Sequence, residues 1–304
     1  MKESKGFVAL KPSLGNKLGV LILSMFVMVI VTGFVQGLVS KLHINERDVI
    51  LIGSATQAVL AFILPAFLTA YLCNPSWKHY LGVDNPGTYS QYIGMAILLI
   101  MFMPAMNYVV DLNENMHLPE SMSGIEATLR NLETNAERVT DIILNDPSIW
   151  GLVSGVLIVG CLTGIAEEMY FRAGIQKAFV SSGWNVHVAV WTTAIIFSAI
   201  HFQFFGFIPR MLLGAMLGYL YVYTGSLWVP AACHALNNSM VVISSCMVAR
   251  GYTDVDVDSL GMDGNAAVWF ALASVLLAAC FIKFFGKTLF RKPSPANSDM
   301  KYNG

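Results

Sequence analysis

Apolar residues gather into eight runs, near 18–39, 49–73, 90–110, 148–173, 186–203, 208–223, 227–249 and 266–285, separated by short polar or turn-forming stretches. About 17–25 such residues, at about 1.5 Å each, cross a hydrocarbon core roughly 30 Å thick. Runs such as 97–103 and 275–282 do not alternate with period two, which excludes the strands of a transmembrane barrel. The pattern predicts an all-α, polytopic transmembrane helical bundle of about eight spans. Residues 1–291 form a single membrane domain in this reading, and the Pro- and Asn-containing tail 292–304 is expected to be disordered.

The segment 111–147 breaks the apolar pattern. It carries eight acidic residues, Asp111, Glu114, Glu120, Glu126, Glu133, Glu137, Asp141 and Asp146, against Arg130 and Arg138. We read it as an extramembrane, solvated connector with one helix around 123–143. Its acidic spacing lacks the alternating ligands and central glycine of a calcium loop. Lys2, Lys5, Lys11 and Lys17 precede the first run, and Lys283, Lys287, Arg291 and Lys292 accompany the end of the last. With an even number of spans, the positive-inside rule puts both termini in the cytoplasm. The connector 111–147 and the loop bearing Asp254, Asp256, Asp258 and Asp263 then face outward. The first run is too long, and too poor in small residues at its end, for a cleaved signal peptide.

Composition agrees: 56% of the 304 residues are hydrophobic and 12% charged, against about 25% charged in soluble domains, with mean hydropathy +0.61. Disordered, collagen-like and disulfide-scaffold classes are excluded. A net charge of −1 points away from nucleic acid and leaves the lipid bilayer as the expected surrounding. Cys73, Cys161, Cys233, Cys246 and Cys280 lie in or beside apolar runs without CxxC spacing, and read as small apolar residues.

Scarcity of charge makes the ionisable residues inside spans informative, because each is costly in hydrocarbon unless paired or facing a wet cavity. They concentrate in three spans: Glu167, Glu168 and Arg172 in the fourth, His201 in the fifth, and His234 with Asn237 and Asn238 in the seventh. Glu168 and Arg172 stand at i and i+4 in the favourable order for an ion pair. Glu167 is turned about 100° away. Its own i+4 neighbour is Phe171, so it is the unpaired carboxylate, suited to general acid–base work.

Glu167 precedes Gly183 by 16 residues and His201 follows Trp184 by 17, so a helical hairpin turning at 181–184 brings the two to one depth. Phe197 lies one turn before His201 on the same face. His234 and Asn238, at i and i+4, share a face and suit oxyanion stabilisation or water positioning. Asn237 points aside and reads as a packing or capping residue. Counted from Gly225, His234 lies roughly 10 Å shallower than His201, a mismatch that needs a tilt or an inserted loop. Gly151, Gly155, Gly160, Gly214 and Gly218 read as helix-packing positions, and Ser154 as a small packing residue rather than a nucleophile. HExxH, GxSxG, GxxxxGK and GxGxxG motifs and an intramembrane Asp pair are absent from the sequence.

Three motifs in order, EExxxR (Glu167–Arg172), FxxxH (Phe197–His201) and HxxxN (His234–Asn238), resemble the CAAX protease and bacteriocin-processing (CPBP, or Abi) family of intramembrane proteases, which includes Ras-converting CAAX endopeptidases. The resemblance covers about 160–245, within a motif-bearing core of 148–249. It implies that Glu167 activates water held with the help of His201, that His234 and Asn238 stabilise the oxyanion, and that Glu168 and Arg172 brace the site. The partner it implies is a peptide or protein substrate at the membrane, cleaved during peptide or bacteriocin maturation or self-immunity.

Zinc is possible, with Glu167, His201 and His234 as ligands. That would use the one free carboxylate, so hydrolysis without a cofactor is favoured. Small size and short termini suggest a bacterial cytoplasmic membrane protein. A non-catalytic immunity or scaffold protein of the same fold is the main alternative. A transporter is disfavoured by the lack of inverted repeats.

Overall fold

The structure, a computed structural model, describes residues 7–289 apart from Val255, Asp256, Asp258, Ser259 and Asp263. The expected tail 292–304 and three of the four outer-loop aspartates lie outside the described residues. Taking continuous helical segments together, the elements are α1 (Leu14–Val39), α2 (Glu46–Cys73), α3 (Trp77–Leu81), α4 (Tyr89–Glu114) and α5 (Ser123–Leu144). They continue with α6 (Ile149–Val180), α7 (Val186–Ala199), α8 (Phe207–Thr224), α9 (Trp228–Ala249) and α10 (Ala267–Leu289). No strand occurs among the described residues.

The all-α polytopic bundle stands, with a correction to the count of spans. Among the described residues six helices, α1, α2, α4, α6, α9 and α10, are long and apolar enough to cross a membrane. The other two apolar runs give shorter or more polar helices. α7 has 14 residues and ends at Ala199 instead of near 203. There Phe202 takes a left-handed φ of 54°, and the Ser198 hydroxyl donates to the Phe207 carbonyl. α8 has 18 residues and carries Arg210 in its first turn. α6 runs seven residues past its expected end, because Gln176 and Lys177 are buried and Gln176 Nε2 donates to the Gly218 carbonyl.

Polar residues placed just before apolar runs start the helices. Ser13, Asn45, Thr88, Ser148 and Asn185 each accept a backbone N–H of the first turn, satisfying donors the helix cannot use. The core is built where α6 meets its neighbours. Leu21, Phe62, Ala166, Tyr170, Phe171 and Phe197 pack into one cluster. Gly164 lets α9 come close: a Cβ there would stand 2.9 Å from the Ala235 nitrogen. Cys73, Cys233 and Cys246 are buried, Cys161 is partly buried and Cys280 is exposed, all as free thiols.

The segment between α2 and α4 packs against the start of α9. Residues 82–87 fold inward against the start of α9: Leu227 N–H donates to the Gly82 carbonyl, Ser226 Oγ to the Asn85 carbonyl, and Trp228 Nε1 to the Val83 carbonyl. The start of α9 is thus tied to a loop from elsewhere in the chain, which a residue count from Gly225 does not include.

At the other end Arg47 ties α2 to the α5–α6 junction. Its Nε donates to the Ile143 carbonyl, its Nη2 to the Gly151 carbonyl and the Ser154 hydroxyl, and Asp146 lies 3.5 Å from Nε. Ser154 is thus a structural partner of Arg47. Stranding a buried acceptor costs about 1–3 kcal/mol, so Arg47→Met should cost about 3 kcal/mol or more, read as a lower unfolding midpoint in detergent. Hydrogen bonds from Ser148, helped by Arg47, hold the Asp146 carboxyl below its usual range. Its stabilising contribution is present above the unfolded carboxyl value and is lost as pH falls through the lower folded one. Asp146→Asn should therefore flatten the acid limb of the stability profile.

Candidate active site

The EExxxR segment of α6 places two adjacent carboxylates in different settings. Glu168 is 0% exposed. Its Oε1 stands 2.9 Å from Arg172 Nη1, one helical turn on, and 2.9 Å from His234 Nδ1 on α9. The Arg172 contact is a close charge approach rather than an aligned hydrogen bond, since Nη1 has no partner of good hydrogen-bond geometry. The same guanidinium donates from Nη2 to the Gly214 carbonyl on α8, at 2.9 Å, and lies over the Phe197 ring at 4.9 Å. The expected Glu168–Arg172 pair is present, and Glu168 also holds His234.

Glu167 has no such clasp. Its Oε2 stands 3.7 Å from His234 Nε2, beyond hydrogen-bond range, and its side chain lines a cavity of about 1200 Å³. His201, His234, Asn237, Asn238 and Arg210 line the same cavity. Glu167 and His201 thus meet at one cavity, as their residue counts predict. His201 sits in the turn after α7, where its Nδ1 donates to the Phe197 carbonyl at 2.8 Å. A carbonyl can only accept, so the Nδ1 proton is assigned and Nε2 is left available to the cavity. Phe197 packs edge-on between the imidazoles, 5.2 Å from His201 and 5.9 Å from His234 between ring centroids.

Two expectations change. Asn238 lines the cavity with His234, but its Nδ2 donates to the Val159 carbonyl of α6 at 3.2 Å, which commits one of its two N–H groups. Asn237, expected to pack or cap, also lines the cavity and donates to Asn238 Oδ1 at 3.4 Å.

Arg210, Gln203 and Glu133 were not anticipated. Arg210 Nη2 donates to Gln203 Oε1 at 2.8 Å, and its buried Nη1 has no hydrogen-bond partner among the described residues. Glu133 comes from α5, the supposed solvated connector, and accepts the Phe205 N–H at 3.1 Å. Burial raises its carboxyl above the usual range, and the Phe205 N–H and Arg210 charge pull it partly back. Arg210 was legible as a lone cation at the start of an apolar run, whereas Glu133 had no local signal.

The zinc set, Glu167, His201 and His234, shares the cavity. Among the described residues, however, no three His, Cys, Asp or Glu side chains converge closely enough to hold a metal ion. As placed, these three side chains do not form a three-ligand zinc centre.

The fold and site define a polytopic helical membrane protein with a buried acid–imidazole centre. Residues 149–240, well under half of the chain, match the family model described as "Type II CAAX prenyl endopeptidase Rce1-like". This interval contains all three motifs, and over it the chain is similar to a family of CAAX peptidases. An uncharacterized protein of Bacillus subtilis (strain 168), YpbD, is 32% identical over 83 residues, which span 26% of this chain and 39% of that protein. No solved structure shows a significant match.

Removing Glu168 leaves the Arg172 charge buried without its partner, a change that costs about 3–5 kcal/mol in comparable sites. Glu168→Ala should lower the thermal midpoint in detergent sharply. The double variant Glu168→Ala/Arg172→Met should lose less than the sum of the single changes; strict additivity would show that the pair is not coupled.

Proposed function

We propose that this protein is an intramembrane endopeptidase that hydrolyses a peptide bond near the membrane surface with water activated by Glu167. The observation that carries this reading is the division of labour between neighbouring carboxylates. Glu168 is committed to Arg172 and His234, while Glu167 faces the cavity unclasped.

Water bound between Glu167 and Nε2 of His201 attacks the scissile carbonyl. Glu167 takes its proton and later delivers it to the leaving amine. His234, its Nδ1–H held by Glu168, and the second Nδ2 proton of Asn238 stabilise the oxyanion. Glu168 and Arg172 hold His234 in place. Every proton in this sequence is accepted and returned by the chain's own side chains, so the proposed hydrolysis needs no metal. The expected setting is a bacterial cytoplasmic membrane with both termini inside.

Comparing protein N-termini in membranes from cells carrying wild type or Glu167→Ala gives the test. Termini created by this protein should vanish in the variant, and a peptide built on one of them should be cleaved about 10²-fold or more slowly by purified Glu167→Ala. Wild-type cleavage should survive a zinc chelator. Identical termini in the two membranes would sink the protease reading, and complete loss of activity on chelation would overturn its metal-free form.

A further inference from the structure

The loop that carries His201 is held from outside its own hairpin. Residues 200–206 are not helical, and Phe202 adopts a left-handed backbone that a bulky residue rarely takes, so surrounding contacts must fix this segment. Ser198 and Arg210 supply contacts from within the hairpin, and others come from α4 and α5. Asn113, in the last turn of α4 and 2% exposed, accepts the Ile208 N–H at 2.8 Å and donates to the Phe204 carbonyl at 3.3 Å.

From α5, Glu133 Oε2 accepts the Phe205 N–H, and the Arg130 guanidinium lies over the buried Phe205 ring at 4.0 Å. Arg130 is itself fixed, donating from Nε to Glu126 and from Nη2 to the Met116 carbonyl, each at 2.9 Å. A charged carboxylate on a backbone N–H and a cation on an aromatic face are both stronger than the contacts of a solvated connector.

We propose that Glu133 and Arg130 are positioning residues, which clasp Phe205 and thereby hold the His201 loop against the cavity. The extramembrane helix α5 is on this view part of the catalytic apparatus without touching the reacting atoms. The consequence for turnover rests on the protease reading above; the consequence for the loop does not.

Hydrogen exchange of the full-length protein in lipid nanodiscs, followed over residues 200–207, tests the clasp. Glu133→Ala should speed exchange there about tenfold or more, with α1 unchanged. Glu133→Gln, whose amide oxygen still accepts the Phe205 N–H, should stay close to wild type. Unchanged exchange over 200–207 in Glu133→Ala, or an equal rise in α1, overturns the proposal.

Kinetics on a peptide whose cleavage depends on Glu167 give the second readout. Glu133→Ala should lower kcat with KM within about twofold, and Glu133→Gln should restore most of the rate. A change confined to KM overturns the positioning role. If no Glu167-dependent cleavage is found, the protease reading fails, and exchange at 200–207 still decides the clasp.

Discussion

A carboxylate with no exposed surface, set in a membrane helix, persists only where cations and donors replace the water it has lost. At Glu168 both partners, Arg172 one turn along its own helix and His234 on the facing helix, converge on Oε1. Much of the site follows from that requirement. Close approach of α6 and α9 at Gly164 brings His234 within reach. Arg172, drawn toward Glu168, donates from Nη2 to the Gly214 carbonyl and so fastens α8, while its flat face covers Phe197. Phe197 in turn packs against both imidazoles. Such a buried pair adds little net stability compared with an apolar equivalent, but losing one member is costly, so it specifies a single arrangement of α6, α8 and α9.

Glu167 gains its character from its neighbour. Being adjacent, it points about 100° away from the clasp and toward the cavity. Intrahelical geometry made this division legible in the sequence, because i and i+4 spacing is local. The apolar runs were legible for the same reason, and so was the meeting of Glu167 and His201 at one cavity, which needs only one short turn between two helices.

Features that depended on distant segments were not legible. Residues 82–87 bond to the start of α9, and no count along the seventh run could include them. Asn238 shares a face with His234 as its spacing required, yet its amide is drawn to Val159 on another helix. Glu133 lay in a segment whose acidity matched an ordinary solvated connector. Its partner, the Phe205 N–H, is 72 residues away and carries no side-chain signature. The two helices that fell short of a span, α7 and α8, flank this same loop. Charge and backbone irregularity at the site outweighed the apolar pattern there.

The shared hold of Glu168 on His234 is the centre of this account, and the proton on His234 reports it most directly. Nitrogen-15 NMR of histidine-labelled, full-length protein in lipid nanodiscs, with His234 assigned through a His234→Gln variant, reads which ring nitrogen is protonated. The expected spectrum shows His234 protonated at Nδ1, the nitrogen 2.9 Å from Glu168, and shows that signal lost or displaced in Glu168→Ala. A His234 with its single proton on Nε2 and a bare Nδ1 would contradict the account.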